Sequence, residues 1–166
     1  MKSLERILDH KTIERKVIRL AFQVFETFTE TDQLLLAGIN GNGYEFAKHI
    51  HHKLKEIAPF ECLLSEVIVN KTNPSENGLI LYPEGDLKKI PVVLVDDVLN
   101  TGKTMMHAIS FCMKSGSNNI KTLVLADRNH RNYPVYADFS GISLATTLQE
   151  HLQFEIENNE MNLYLR

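Results

Sequence analysis

The chain has 166 residues, of which 43% are hydrophobic and 23% charged, and a net charge of −3. This is the composition of a globular chain long enough for one well-filled core, and a single domain over 1–166 is expected. It excludes a helical membrane span and, with no apolar core after Met1 and Lys2, a secretory leader, so the expected compartment is the cytoplasm; net acidity also argues against a strong RNA footprint.

The first predicted element is an amphipathic helix. Asp9 is its candidate N-cap, and Ile13, Val17, Leu20, Ala21, Val24, Phe25 and Phe28 recur at three- and four-residue spacing to make one apolar face. A short buried run, Leu34 to Ile39, follows and ends in Asn40, Gly41, Asn42 and Gly43, after which Phe46, Ala47, Ile50, Leu54 and Ile57 mark a second helix. Strand, glycine-rich loop and helix together form an anion-site layout, but two glycines also simply make a turn, and both readings stand at this point. His49, His51 and His52 cluster in the second helix without the i, i+4 spacing or the acidic third ligand of a metal site, so they read as a solvated face. Pro59 to Val69 reads as a strand containing Cys62. This cysteine and Cys112, both among apolar neighbours, read as reduced packing residues. The polar stretch Asn70 to Gly78 is either a lid over a site or a plain excursion, and Leu79 to Tyr82 suggests a short returning strand.

The most informative stretch is Val92-Val93-Leu94-Val95-Asp96-Asp97-Val98-Leu99-Asn100-Thr101-Gly102-Lys103-Thr104. Four apolar residues, three of them β-branched, indicate a strand buried on both faces, and the run stops at two carboxylates. A hydroxyl, a glycine, a lysine and a second hydroxyl then lead into a helix, where free N–H groups and the positive dipole end favour a phosphate. A ribose 5-phosphate satisfies both halves: Asp96 and Asp97 accept from its hydroxyls while residues 101–104 wrap the phosphate. A Walker A loop would need a glycine where Asp97 stands.

Beyond the motif helix, Ile120 to Ala126 reads as another buried strand ending in Asp127, Arg128, Asn129, His130 and Arg131, which loads the same sheet edge with polar groups. Residues 136–144 carry no clear pattern. Leu152, Phe154 and Ile156, a turn at Asn158 and Asn159, then Met161, Leu163 and Leu165 predict an antiparallel hairpin. The order of elements implies an α/β domain with a doubly wound, mostly parallel sheet, helices on both faces and a C-terminal hairpin.

The acid pair followed by Thr-Gly-x-Thr resembles the phosphoribosyl pyrophosphate (PRPP) motif of the type I phosphoribosyltransferases. Ile7-Leu8-Asp9, Gly38-Ile39, residues 127–131 with Pro134, and Ala137-Asp138-Phe139 with Gly141 narrow the likeness to the pyrimidine operon regulator and uracil phosphoribosyltransferase branch. The resemblance implies transfer of a phosphoribosyl group from PRPP to a nitrogenous base in nucleotide salvage, with Mg2+ bound mainly through PRPP and a homodimer or higher homo-oligomer as the working form. It implies Asp96 and Asp97 as the catalytic acids on the ribose, Asn100, Thr101, Gly102, Lys103 and Thr104 on the 5-phosphate, and Asn40, Gly41 and Asn42 on the pyrophosphate side. It also implies base contacts from Ala126, Asp127, Arg128 and Phe139. Three departures stand out: Asn40 and Asn42 replace basic residues of the branch, the arginine and acid pair usual after Ser65 is missing, and Ile142 replaces a lysine. Fewer cations around the leaving group lower the expected rate without touching ribose-phosphate binding. A PRPP- or nucleotide-sensing regulator therefore remains the alternative to an enzyme.

Overall fold

The computed structural model describes residues 4–70, 79–81 and 87–166. In chain order the elements are β1 (Glu5–Leu8), α1 (His10–Thr27), β2 (Gln33–Ile39), α2 (Asn42–Ile57), β3 (Glu61–Ile68), β4 (Leu79–Leu81), β5 (Val92–Leu99), α3 (Lys103–Lys114), β6 (Ile120–Asp127), β7 (Phe139–Ser143), β8 (Leu152–Glu157) and β9 (Glu160–Leu165). Residues 71–78, where the lid or excursion was expected, lie outside the described residues.

Five strands run parallel in the order β3-β2-β5-β6-β7, and β4 pairs antiparallel with the outer edge of β3. The interior strands are apolar without alternation because both of their faces are covered. On one face α1 and α2 pack with Phe154, Met161 and Leu163 from β8 and β9; on the other, Met105, Ala108 and Cys112 of α3 close a second core. Cys62 belongs to the first core and Cys112 to the second, so the sheet separates them, and burial pushes each thiol up to about 12.

The expected apolar faces of the helices are buried. Asp9 caps α1 as predicted, its Oδ1 accepting from the Thr12 N–H at 2.9 Å. Further along α1, the Lys16 ammonium and the Arg19 guanidinium both donate to the main-chain oxygen of Gly141, covering the outer edge of β7. In α2, His51 donates to the Cys62 carbonyl at 2.8 Å, His52 faces Glu56 at 3.2 Å, and His49 is half-buried with its pKa lowered, chiefly by burial and then by His10.

The tail hairpin forms in the predicted register, Phe154 opposite Leu163 and Ile156 opposite Met161, around a turn whose Asn158 and Asn159 both take positive φ. It does not extend the main sheet. Instead β9 pairs on its other side with β1, a strand ahead of the first helix that the sequence did not disclose, to make a separate three-stranded sheet. Strand β7 likewise emerges from the stretch without a pattern.

The chain leaves β2 through α2 to β3 on one side and β5 through α3 to β6 on the other. The direction of winding thus reverses between β2 and β5, and the crevice beyond the C-terminal ends of those two strands is where such a sheet receives a ligand.

Candidate active site

Both expected ligand loops flank that crevice. The β5 strand remains buried through Asp96, which is 7% exposed, and its carboxylate Oδ1 accepts from the Asp97 N–H at 2.9 Å. Asp97 is half-buried one residue further out. The acid pair is therefore fixed by the sheet and by its own backbone. The first turn of α2 lies directly on it: a Cβ placed on Gly43 would sit 2.6 Å from Asp96 Oδ1 and 3.1 Å from the Val95 oxygen. Gly43 has ordinary helical geometry, so the glycine is needed for close approach of helix to strand.

After β5 the chain turns through residues 100–102 into α3. Gly102 occupies the N-cap position in the left-handed region, φ 89°, and provides no side-chain cap; Gly41 does the same service for α2 with φ 85° and again no side-chain bond. By contrast with α1, two helices thus bring N-termini without an N-cap side chain to the crevice, each with a positive dipole end, although at α3 the Lys103 N–H donates to Thr101 Oγ1 at 3.3 Å. The α3 end opens onto a polar cavity of about 60 Å3 lined by Asp96 and residues 98–105. Asp96, Thr101, Lys103, Thr104 and the turn into α3 meet there, with Asp97 the next residue after Asp96, and together they supply the kinds of donor and acceptor a sugar phosphate requires.

The loop is held from outside by residues 128–135. The Thr101 carbonyl accepts from the N–H groups of Asn132 and Tyr133 at 2.9 and 3.1 Å, and Arg131 Nη1 donates to the Asn100 oxygen at 3.2 Å. Arg131 also pairs with Asp127 at 2.5 Å. A Cβ on Gly102 would meet Val135 Cγ1 at 2.4 Å, so the loop and its brace touch closely. None of this bracing was legible in the sequence: only the dense run of polar residues after β6 hinted at it, and a brace and a binding surface look alike in one dimension.

The remaining candidates fall as follows. Asn40 and Asn42 adjoin Asp96 through α2, but their side chains are engaged in the fold. Asn40 Oδ1 accepts from the Val69 N–H at 2.9 Å, and Asn42 Nδ2 donates to the Phe154 oxygen at 2.8 Å. Ala126 and Asp127 end β6 beside the site, both buried, and Asp127 Oδ1 accepts from the Asn129 N–H. Arg128 is 6% exposed and turns its guanidinium into the protein. Phe139 lies deeper, opposite Leu123 in the first core. Among the described residues no group of three or more His, Cys, Asp or Glu side chains is placed to hold a metal ion. No described helix is long and apolar enough to cross a membrane.

A doubly wound sheet with an acid pair and a helix N-terminus at its switch point is suited to a ligand that carries both hydroxyls and a phosphate, and comparison with known families makes the class explicit. Residues 3–157 match the phosphoribosyl transferase domain family, so the chain belongs to that family and is a phosphoribosyltransferase. It is similar to the pyrimidine operon regulatory protein of Lactococcus lactis subsp. lactis (strain IL1403), 30% identical over 161 residues that cover 95% of this chain and 93% of that protein. It is also similar to the bifunctional protein PyrR of Streptococcus uberis, 32% identical and covering 94% of this chain and 91% of the relative. Among solved structures, the hypoxanthine phosphoribosyltransferase of Trypanosoma cruzi shares the fold with a TM-score of 0.75 at 13% identity, covering 96% of this chain and 95% of the other.

Proposed function

We propose that the chain acts as a single domain that transfers the 5-phosphoribosyl group of PRPP to a pyrimidine-like base, of which uracil is the first candidate, in cytoplasmic nucleotide salvage. In the reaction a ring nitrogen bonds to C1 of the ribose as the bond from C1 to the pyrophosphate oxygen breaks. Positive charge develops on the sugar and negative charge on the leaving group. Asp96 and Asp97 would orient the ribose hydroxyls and stabilise the cationic sugar, while residues 100–104 grip the 5-phosphate. The turn at Asn40, Gly41 and Asn42, with the free N–H groups at the start of α2, would take the pyrophosphate through main-chain donors.

Mg2+ carried on the substrate would neutralise leaving-group charge. The hard oxygens of Asp96 and Asp97 suit such an ion, whose remaining ligands would be phosphate oxygens and water. Base contacts are assigned to the β6 end, Ala126 to Arg128, with Phe139 supporting that end from the core. By likeness to the family the working form is a homodimer or higher homo-oligomer.

The observation that carries this reading is the acid pair beside a helix N-terminus without an N-cap side chain at the switch point. Turnover with PRPP, Mg2+ and a panel of bases, followed by pyrophosphate release, tests it; product with a pyrimidine is expected. Calorimetry on an Asp96→Asn, Asp97→Asn double variant is expected to lose about 1 to 3 kcal/mol of PRPP binding, and unchanged affinity would defeat the site assignment. The names of the relatives support a second reading, a catalytically weak sensor of PRPP or nucleotide. PRPP binding without product from any base would favour it, with RNA retention expected to be weak and salt-sensitive.

A further inference from the structure

The guanidinium of Arg128 has five N–H groups, and the structure gives it acceptors in two separate segments, at residue 100 and within residues 146–151. Nε donates to Thr146 Oγ1 at 2.9 Å, and Nη2 donates to the main-chain oxygens of Thr147, at 3.2 Å, and Glu150. Nη1 approaches His151 Nδ1 at 3.5 Å and donates to Asn100 Oδ1 at 3.0 Å. The side chain is buried and committed, so it has no donor to turn toward a ligand.

Its contact with Asn100 has a chemical consequence. A guanidinium can only donate, so the amide of Asn100 must present its oxygen to Arg128, and its NH2 group must face away. The main-chain oxygen of Asn100 is occupied as well, by Arg131. What remains is an NH2 group without an acceptor among the described residues, on a residue that lines the phosphate cavity. Were the contact to Arg128 absent, the amide could turn over and offer an acceptor, which would repel an anion.

We propose that Arg128 is a positioning residue that locks the Asn100 amide with its N–H donors toward the cavity, so that this wall recognises a phosphoryl oxygen of the bound sugar phosphate. The inference rests on the ribose-phosphate reading above and adds to it the polarity of one wall and the residue that sets it. It also separates the Arg128 side chain, though not the β6 end that carries it, from base recognition.

Calorimetry with ribose 5-phosphate and with PRPP plus Mg2+ tests the proposal on the wild type, Asn100→Asp, Asn100→Ala, Arg128→Lys and the Arg128→Lys, Asn100→Ala pair, each checked by thermal unfolding. Asn100→Asp keeps an acceptor for Arg128 and is expected to melt no lower than the wild type, yet to bind both ligands at least tenfold more weakly. Arg128→Lys is expected to weaken binding severalfold in the wild type and not at all once Asn100 is alanine. Wild-type affinity in Asn100→Asp, or losses from Arg128→Lys and Asn100→Ala that simply add, would overturn the proposal while leaving the ribose-phosphate reading intact. Failure of the wild type to bind either ligand would overturn both. If Arg128→Lys does not fold, the Asn100→Asp comparison decides alone.

Discussion

Two turns leave the C-terminal edge of the same sheet, one after β2 and one after β5, and they are built in opposite ways. In the first, Asn40 and Asn42 spend their side chains on the protein, joining the end of β2 to Val69 and the start of α2 to β8. In the second, most of the holding is done from outside by residues 128–135; within the turn Thr101 Oγ1 accepts from the Lys103 N–H at 3.3 Å, and the Lys103 ammonium and the Thr104 hydroxyl line the cavity without a bond to the turn itself. A turn that must support itself has few side-chain groups to offer a ligand, whereas a braced turn can offer nearly all of them. The difference also gives the two asparagines that stand in place of basic residues a role as fold staples, and the proposed pyrophosphate contact would fall to main-chain groups at the start of α2.

The comparison can be broken most severely at Gly102. Alanine there meets the left-handed backbone, at about 1 to 2 kcal/mol, and Val135, at about 1 to 3 kcal/mol for overpacking, so a loss of roughly 2 to 5 kcal/mol is expected in denaturant unfolding together with loss of PRPP binding. Gly43→Ala should come next. It pushes α2 off Asp96, with an expected cost of about 1 to 3 kcal/mol and weaker ribose binding measured by calorimetry.

Asn42→Arg distinguishes staple from missing cation. Leaving the Phe154 oxygen without its donor is expected to cost about 1 kcal/mol in stability, and steady-state turnover should not rise. A rise of tenfold or more in kcat would mean that leaving-group charge limits the reaction and that the staple is secondary.

The smallest effect belongs to Asp9, the cap of the helix that does not face the site. Its pKa is lowered chiefly by the hydrogen bond from Thr12, so its contribution is present above the ordinary carboxylate pKa and disappears as pH falls through the lower folded value. Asp9→Ala should slightly lower Tm at neutral pH, the difference vanishing in acid, with PRPP affinity unchanged; a change in affinity would show that α1 is coupled to the site.

The sequence disclosed the features whose signal is local. The β5 run, its acid pair, the α3 start and the Asp9 cap each occupy a few consecutive residues with one chemical meaning. The tail register was legible for the same reason, since alternation from Leu152 to Leu165 leaves only one apolar face. What escaped depends on partners far along the chain. β1 has four residues and no alternation, and becomes a strand only because β9 stands beside it. Arg128 reads in one dimension as a polar residue at a ligand edge, and only its partners at Asn100, Thr146 and Glu150 reveal that it points inward.

The pairing of β1 with β9 also sets a sequence of events during synthesis. Glu5 finds its place opposite Leu165, and both flanks of the small sheet depend on that last strand. On a ribosome the parallel sheet can begin to assemble while β1 is still without a neighbour, because a pairing of Glu5 with Leu165 must wait for β9 and bears the entropy of closing the long loop between them. The Asn42 staple waits as well, since its acceptor lies on β8. The turn after β2 is therefore expected to settle late, once β8 has emerged, and a growing chain would hold the braced turn after β5 before the turn after β2.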